Sequence, residues 1–321
     1  MAANTQGTVF PASAFDPEKA AEQLRKAMKG LGTDEKAIIA VLSSHCNSQR
    51  LEIEKKFKTM YGKDLKAELK SEISGRFEDV CLALLEPARK YDAKECHAAI
   101  KGAGTDEGAL IEILCSRTNK EILEIKEQYK TLFKKELEKD IVGDTSGHFK
   151  RLLVSQLTAN REEGNHIDPN QARVEAQELY DAGAGKLGTD ESVFNRILCS
   201  RSYYQLNETF RSYQAQYGKD IEASIRAETS GYLEDAYLAV VKLVRSRPEY
   251  FAERLYKSMK GAGTKDSTLI RVVVSRSEVD MSEIKQEFQR KYGKTLGSFI
   301  KGDTSGDYRK LLLALIGDPN V

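Results

Sequence analysis

The residues best suited to chemistry come in four glycine-threonine loops, each with an acid at a fixed remove. The loops are Met28-Lys29-Gly30-Leu31-Gly32-Thr33-Asp34-Glu35, Ile100-Lys101-Gly102-Ala103-Gly104-Thr105-Asp106-Glu107, Gly185-Lys186-Leu187-Gly188-Thr189-Asp190-Glu191 and Met259-Lys260-Gly261-Ala262-Gly263-Thr264-Lys265-Asp266. Counting 40 residues on from Gly32, Gly104, Gly188 and Gly263 leads to Glu72, Asp144, Glu228 and Asp303. Calcium takes roughly six to eight hard oxygen ligands at about 2.3–2.6 Å in flexible geometry. A helix end leaves carbonyls without partners, and glycine lets the backbone turn them toward one point. In the first repeat the inward oxygens are the carbonyls of Met28, Gly30 and Gly32. The Glu72 carboxylate closes the set and brings the negative charge that carbonyls lack. The pattern predicts one calcium ion (Ca2+) per repeat, with room left for water or an outside oxygen.

The acid can close such a site only if two loops of each repeat lie on one face, and short helices must arrange that. Asp16-Pro17 predicts a helix start, with Asp as N-cap and Pro where its missing N–H costs nothing. The same punctuation occurs at Glu86-Pro87, Asp168-Pro169 and Arg247-Pro248. After the first loop, Thr33-Asp34-Glu35 reads as a Thr N-cap followed by acids that suit the positive end of a helix. Ile38, Ile39 and Leu42 form the apolar face of that second helix, repeated at Leu110, Ile113 and Leu114. A third helix runs through Ile53, Phe57 and Met60 to Tyr61-Gly62, where glycine is a C-cap. Phe133, Tyr217 and Tyr292 share the offset of Tyr61, 29 residues beyond the anchor glycine. A fourth helix starts near Asp64, and Ser74-Gly75 opens a fifth.

The expected fold class is therefore all-α, four five-helix repeats with no convincing strand. The divisions are a short N-terminal tail (1–15), repeat 1 (16–86), repeat 2 (87–157), a linker (158–167), repeat 3 (168–246) and repeat 4 (247–321). Anchor glycines lie 72, 84 and 75 residues apart, and the polar linker in the longest interval is expected to join two halves of two repeats each.

Composition removes several classes of function. The net charge of +1 argues against a general electrostatic grip on nucleic acid or on an anionic membrane. Five cysteines without CxxC or framework spacing fit buried thiols in a reducing compartment. Neither a transmembrane run nor a basic-then-apolar leader is present, so a soluble, cytoplasmic protein is expected. No GxSxG, HExxH or nucleophile-base pair suggests an enzyme.

A plainer account competes for any single loop: glycine after a helix is usually a C-cap, and Thr-Asp-Glu usually an N-cap. It does not explain the acid 40 residues on. Arg76, His148, Tyr232 and Asp307 share one offset and have drifted apart in chemistry, while the nearby acid stays Glu or Asp. That contrast favours a ligand role for the acid.

With these loops, acids and helix pattern in hand, the chain closely resembles the annexins over about residues 10 to 321. The resemblance implies a slightly curved disc of four helical repeats and reversible, calcium-dependent binding to acidic, phosphatidylserine-like phospholipid membranes. The main ligand sets it implies are Met28, Gly30, Gly32 and Glu72; Ile100, Gly102, Gly104 and Asp144; and Met259, Gly261, Gly263 and Asp303. Repeat 3 departs in having a longer loop, and its implied set is Gly183, Lys186, Gly188 and Glu228. Secondary sites are implied at Thr33 and Glu35, Thr105 and Glu107, and Thr189 and Glu191, with Asp266 at the matching place in the fourth loop.

A near-neutral protein needs a bridge to an anionic bilayer, and a loop-held calcium with an open coordination place supplies one. Lys29, Lys101, Lys186 and Lys260 are expected beside lipid phosphates or simply in solvent, and Leu31 and Leu187 at the loop tips. A peripheral location at membranes when calcium rises follows, with room for a homo-oligomer, a trimer or hexamer, and no nucleic-acid partner. The alternative is a calcium- or voltage-dependent ion channel. In annexins, positions matching Asp92, Glu95, Glu112, Arg117 and Arg271 line a central hydrophilic pore; structural salt bridges explain those charges equally well. Arg117 belongs to a helix ending that recurs at Arg201 and Arg276, whereas repeat 1 has His45, which should weaken the ion pair there.

Overall fold

A computed structural model describes residues 6–30, 32–102, 104–185 and 188–318. Among them are helices only, five to each repeat. Repeat 1 holds α1 (Pro17–Ala27), α2 (Glu35–Ser43), α3 (Asn47–Tyr61), α4 (Leu65–Glu72) and α5 (Gly75–Leu84). Repeat 2 holds α6 (Ala88–Ile100), α7 (Glu107–Ser116), α8 (Asn119–Phe133), α9 (Leu137–Asp144) and α10 (Gly147–Leu157). Repeat 3 holds α11 (Pro169–Ala182), α12 (Glu191–Ser200), α13 (Tyr203–Tyr217), α14 (Ile221–Glu228) and α15 (Gly231–Arg245). Repeat 4 holds α16 (Arg247–Met259), α17 (Asp266–Arg276), α18 (Met281–Tyr292), α19 (Leu296–Asp303) and α20 (Gly306–Leu315).

Local chemistry explains these boundaries. The Asp16 and Asp168 carboxylates accept from the first backbone N–H groups of α1 and α11, and proline takes the first helical place in each. The third helices of repeats 1, 3 and 4 end on left-handed glycines, Gly62 (φ 66°), Gly218 (φ 66°) and Gly293 (φ 70°); Lys134 (φ 57°) does the same work in repeat 2. At the second helices the expected Thr cap is corrected. Asp34 caps α2, its carboxylate accepting from the Ala37 N–H at 3.0 Å, and Asp106 does so for α7 at 2.9 Å. A carboxylate is the stronger acceptor for orphan N–H groups, so the threonine hydroxyl is free for another partner.

Two compact units result, one running to Tyr91 and resuming at Pro248, the other Asp92–Arg247. The first joins repeats 1 and 4, with α2 packed on α20 and α5 on α17 and α20. Its core includes Leu24, Ile38, Leu42, Phe57, Leu69, Phe288 and Leu312, all fully buried. The second joins repeats 2 and 3, with α7 packed on α15 and α10 on α12 and α15 around Leu110, Ile113, Ile197, Tyr237 and Val241. The expected pairing of consecutive repeats on either side of the linker is thus replaced. The linker lies inside the second unit and is anchored to both of its repeats. Asn119 and Arg161 exchange hydrogen bonds at 2.8 and 3.1 Å, and the Glu162 N–H donates to the Ser200 carbonyl at 2.7 Å.

The N-terminal segment is also held. Thr8 and Val9 donate their N–H groups to the Ser277 carbonyl at 2.7 and 3.0 Å, and Ala12 and Gln49 exchange two further bonds. A Cβ on Gly7 would come within 2.6 Å of the backbone at Ser277 and Glu278, so only glycine permits that approach.

Candidate metal centre

Each first helix must deliver its loop in a fixed place, and an aromatic contact does so. The residue shortly before the loop meets the aromatic residue at the end of the third helix. His97 stacks on Phe133 (centroids 3.7 Å apart), Tyr180 on Tyr217 (3.9 Å) and Tyr256 on Tyr292 (3.8 Å); in repeat 1 the Arg25 guanidinium lies 5.8 Å from the Tyr61 centroid. The loop is then closed by one backbone bond from the cap residue of the second helix to the end of the first. Asp34 donates to the Ala27 carbonyl at 2.9 Å, Asp106 to Ala99 at 2.8 Å, Asp190 to Ala182 at 2.6 Å and Lys265 to Ser258 at 2.7 Å. In repeat 3 that bond spans one residue more than elsewhere, which accommodates the longer loop read from the sequence.

Inside the closed loops the backbone turns through positive φ at Gly30 (118°), Gly32 (87°), Gly102 (142°), Gly104 (99°), Gly188 (84°), Gly261 (127°) and Gly263 (91°). Side-chain-bearing residues are strained there. Among the described residues, no hydrogen bond is accepted by the carbonyls of Met28, Gly30, Gly32, Ile100, Gly102, Gly104, Gly183, Gly188, Met259, Gly261 or Gly263. Lys186 lies outside the described residues, as do the loop-tip residues Leu31, Ala103 and Leu187.

The distant acids come to these loops. Glu72, Asp144, Glu228 and Asp303 are the last residues of α4, α9, α14 and α19, rather than loop residues as the sequence suggested. The loop threonine reaches each of them. Thr33 Oγ1 lies 3.4 Å from Glu72 Oε2, Thr105 Oγ1 2.6 Å from Asp144 Oδ2 and Thr264 Oγ1 2.5 Å from Asp303 Oδ2. In repeat 3 the Thr189 hydroxyl donates instead to the Glu228 carbonyl at 2.9 Å, and a Cβ on Gly183 would stand 3.4 Å from Glu228 Cγ. Sequence reasoning missed this role of threonine, although its constant distance of 39 residues from the acid was a visible signal.

The donor set suits a hard cation. A carboxylate at a helix C-terminus sits at the negative end of the helix dipole, an arrangement that costs about 0.3–1 kcal/mol unless a positive charge joins it. Here the loop threonine ties the glycine loop to the C-terminal end of the fourth helix in every repeat. Among the described residues no three His, Cys, Asp or Glu side chains form a metal-binding group. A cation held by these loops would take most of its ligands from backbone carbonyls, a hard-oxygen set that suits calcium.

The helix-ending charges form ion pairs within each unit, buried at Arg117 and Arg276 and partly exposed at Arg201. Arg117 makes two bonds to Asp92, at 3.0 and 2.8 Å, with both side chains at most 2 % exposed. Burial opposes the Arg117 charge, but Asp92 outweighs it and raises the guanidinium further. Arg201 pairs with Glu175 and Glu162, and Arg276 with Asp280. In repeat 1, His45 lies edge-on to Phe15, and the guanidinium arrives from elsewhere: Arg50 donates to the Leu42 carbonyl at 2.7 Å and meets Glu278 at 3.1 Å. Of the other charges noted in the sequence, Glu95 and Glu112 belong to the second unit and Arg271 to the first.

Comparison with known proteins agrees with this geometry. The Annexin family profile matches residues 19–84, 91–155, 174–240 and 250–315. Human annexin A13 is 54 % identical over 302 residues, covering 94 % of this chain and 96 % of that protein. Mouse annexin A4 is 56 % identical over 311 residues, covering 97 % and 98 %. Against human annexin A7 the identity is 54 % over 313 residues, but the chain spans only 64 % of that protein. Among solved structures, annexin III superposes with a TM-score of 0.95 at 46 % identity, covering 97 % of each chain. Calcium-bound annexin (Sm)1 superposes with a TM-score of 0.88 at 34 % identity, covering 98 % of this chain and 93 % of that one. The fold and the loops define an all-α, four-repeat class of protein. The chain belongs to the annexin family. No helix among the described residues is long and apolar enough to cross a membrane.

Proposed function

We propose that the chain binds acidic phospholipid membranes reversibly, through calcium ions held between the glycine loops and the acids that close the fourth helices. The observation that carries this is the threonine tie: in all four repeats a loop hydroxyl reaches the acidic residue 39 positions on. Loop carbonyls of Met28, Gly30 and Gly32 with Glu72, and their counterparts, are the ligands in this account. Calcium, when bound, supplies net positive charge and an open coordination place for a lipid phosphate. Thr33 with Glu35, Thr105 with Glu107, and Thr189 with Glu191 offer second, weaker positions.

Several such weak sites acting together give multivalent attachment without a strongly basic surface. The exposed ammonium groups of Lys29, Lys101 and Lys260 add about 1 kcal/mol each near an anionic bilayer. The protein is then cytoplasmic and becomes peripheral to membranes when calcium rises. The reading is tested by linkage, because coupling between two ligands is reciprocal. Phosphatidylserine vesicles should lower the calcium concentration for half-saturation, and calcium should tighten vesicle binding by the same factor. A calcium titration that vesicles leave unmoved contradicts it. Ion conduction is less well supported, since Asp92 accepts two hydrogen bonds from the Nε and Nη2 of a buried guanidinium.

A further inference from the structure

The four residues that look like drift in the sequence, Arg76, His148, Tyr232 and Asp307, open the fifth helices at one shared offset. Three of them meet the acid that begins a second helix in the partner repeat of their own unit. Arg76 Nε lies 3.0 Å from Asp266 Oδ2, and His148 Nε2 lies 3.6 Å from Glu191 Oε2. The Tyr232 phenol faces Glu107, whose negative charge disfavours its ionisation. Asp307, itself an acid, pairs with Lys310 on its own helix at 2.9 Å.

Only Arg76 among the four carries a permanent cation, and its target is fully engaged. The guanidinium takes Asp266 Oδ2, the Tyr308 hydroxyl donates to Oδ1 at 3.0 Å, and the other arm of the guanidinium meets Asp79 at 3.0 Å. A calcium ion needs carboxylate oxygens at about 2.3–2.6 Å. To reach Asp266 it would have to displace a guanidinium already within hydrogen-bond distance of the same oxygen. Glu107 and Glu191 face a phenol and an imidazole, which can yield to a divalent ion at much smaller electrostatic cost.

We propose that Arg76 is a resident cation standing where the second calcium of repeat 4 would bind, so that this repeat takes one calcium where its siblings can take two. This rests on the calcium reading given above. The consequence is a division of labour at equivalent places. In the first unit a charge built into the chain joins α5 to α17 whatever the calcium level. In the second unit the matching contacts are left for calcium to reorganise.

The test uses the full chain and two opposite substitutions. Arg76 is 56 % exposed, so Arg76→Gln leaves the core untouched. In equilibrium dialysis without lipid, Arg76→Gln should bind one more calcium per chain at saturation, and Arg76→Gln with Asp266→Asn should lose that gain. Terbium locates the new site, because the chain has no tryptophan and Tyr308 touches Asp266. Arg76→Gln should gain tyrosine-sensitised luminescence that Tyr308→Phe removes. The converse change, His148→Arg, should cost repeat 3 one calcium. Unchanged calcium counts in both folded variants overturn the proposal. Neutralising Glu72, Asp144, Glu228 and Asp303 in the same assay separates the two levels. If that variant keeps the wild-type calcium count the parent reading fails; if it loses its main sites while Arg76→Gln adds none, only the role of Arg76 falls.

Discussion

The Thr105 hydroxyl donates to the Asp144 carboxylate at 2.6 Å, joining the end of one loop to the end of a helix 39 residues later. This bond holds the acid over the glycine turn before any ion arrives. Thr105→Val keeps the shape of the side chain and removes the donor. A hydrogen bond of this kind contributes about 1 kcal/mol, so calcium affinity at repeat 2 should fall roughly five-fold. Calorimetric titration of Thr105→Val in a chain whose other three acids are neutralised checks this, with circular dichroism unchanged.

Gly32 turns at φ 87°, where a β-branched residue is strongly disfavoured. A Cβ there would meet no neighbour within 4 Å, so crowding is not the obstacle. Gly32→Val should cost about 1–2 kcal/mol from backbone handedness alone, or else reorient the carbonyl. Either outcome lowers calcium affinity at repeat 1, and denaturant unfolding in chelator separates them: a smaller unfolding free energy marks strain, an unchanged one marks reorientation.

Much of this was legible beforehand because it is local. Glycine at a helix end and Asp-Pro at a helix start act within a few residues of the places they shape, and the distant acid betrays itself by its constant spacing of 40 residues. What stayed hidden depends on distant contacts. Nothing in the run from Thr158 to His166 tells that the flanking repeats pack on each other through α10 and α12. Arg50 could not be matched to the missing arginine of repeat 1, because it enters from the third helix. The threonines were open to two readings, and in repeats 1 and 2 the adjacent aspartates decided between them by taking the cap.

His97 provides a test in pH. Burial first, then the Lys101 ammonium, hold its imidazole below the ordinary value near 6.5. The folded chain therefore takes up a proton less readily than the unfolded one. The stabilisation is fully present above the unfolded value and declines as pH falls from there to the lowered folded value. His97→Phe keeps a ring against Phe133 and removes the titration. The thermal midpoint of the variant should fall less steeply than that of the wild type between about pH 7 and pH 5. Equal slopes would exclude a role for His97.

The Asp92–Arg117 pair should reveal its burial when broken. Asp92→Asn leaves a guanidinium in the protein interior without its counter-charge and should cost about 3–5 kcal/mol in urea unfolding. Glu136→Gln, which breaks a surface pair with Lys130, should leave the unfolding midpoint almost unmoved. A similar small effect from both changes would show that the buried pair is not structural.

The central claim is that four distant acids complete metal sites through which the chain grips a bilayer. Cosedimentation with phosphatidylserine vesicles across a calcium titration tests it most directly, comparing wild type with a variant in which Glu72, Asp144, Glu228 and Asp303 are all neutralised. The variant should remain folded and stay in the supernatant at calcium levels that bring the wild type down. If it pellets with the vesicles at the wild-type calcium level, the acids do not hold the bridging ions.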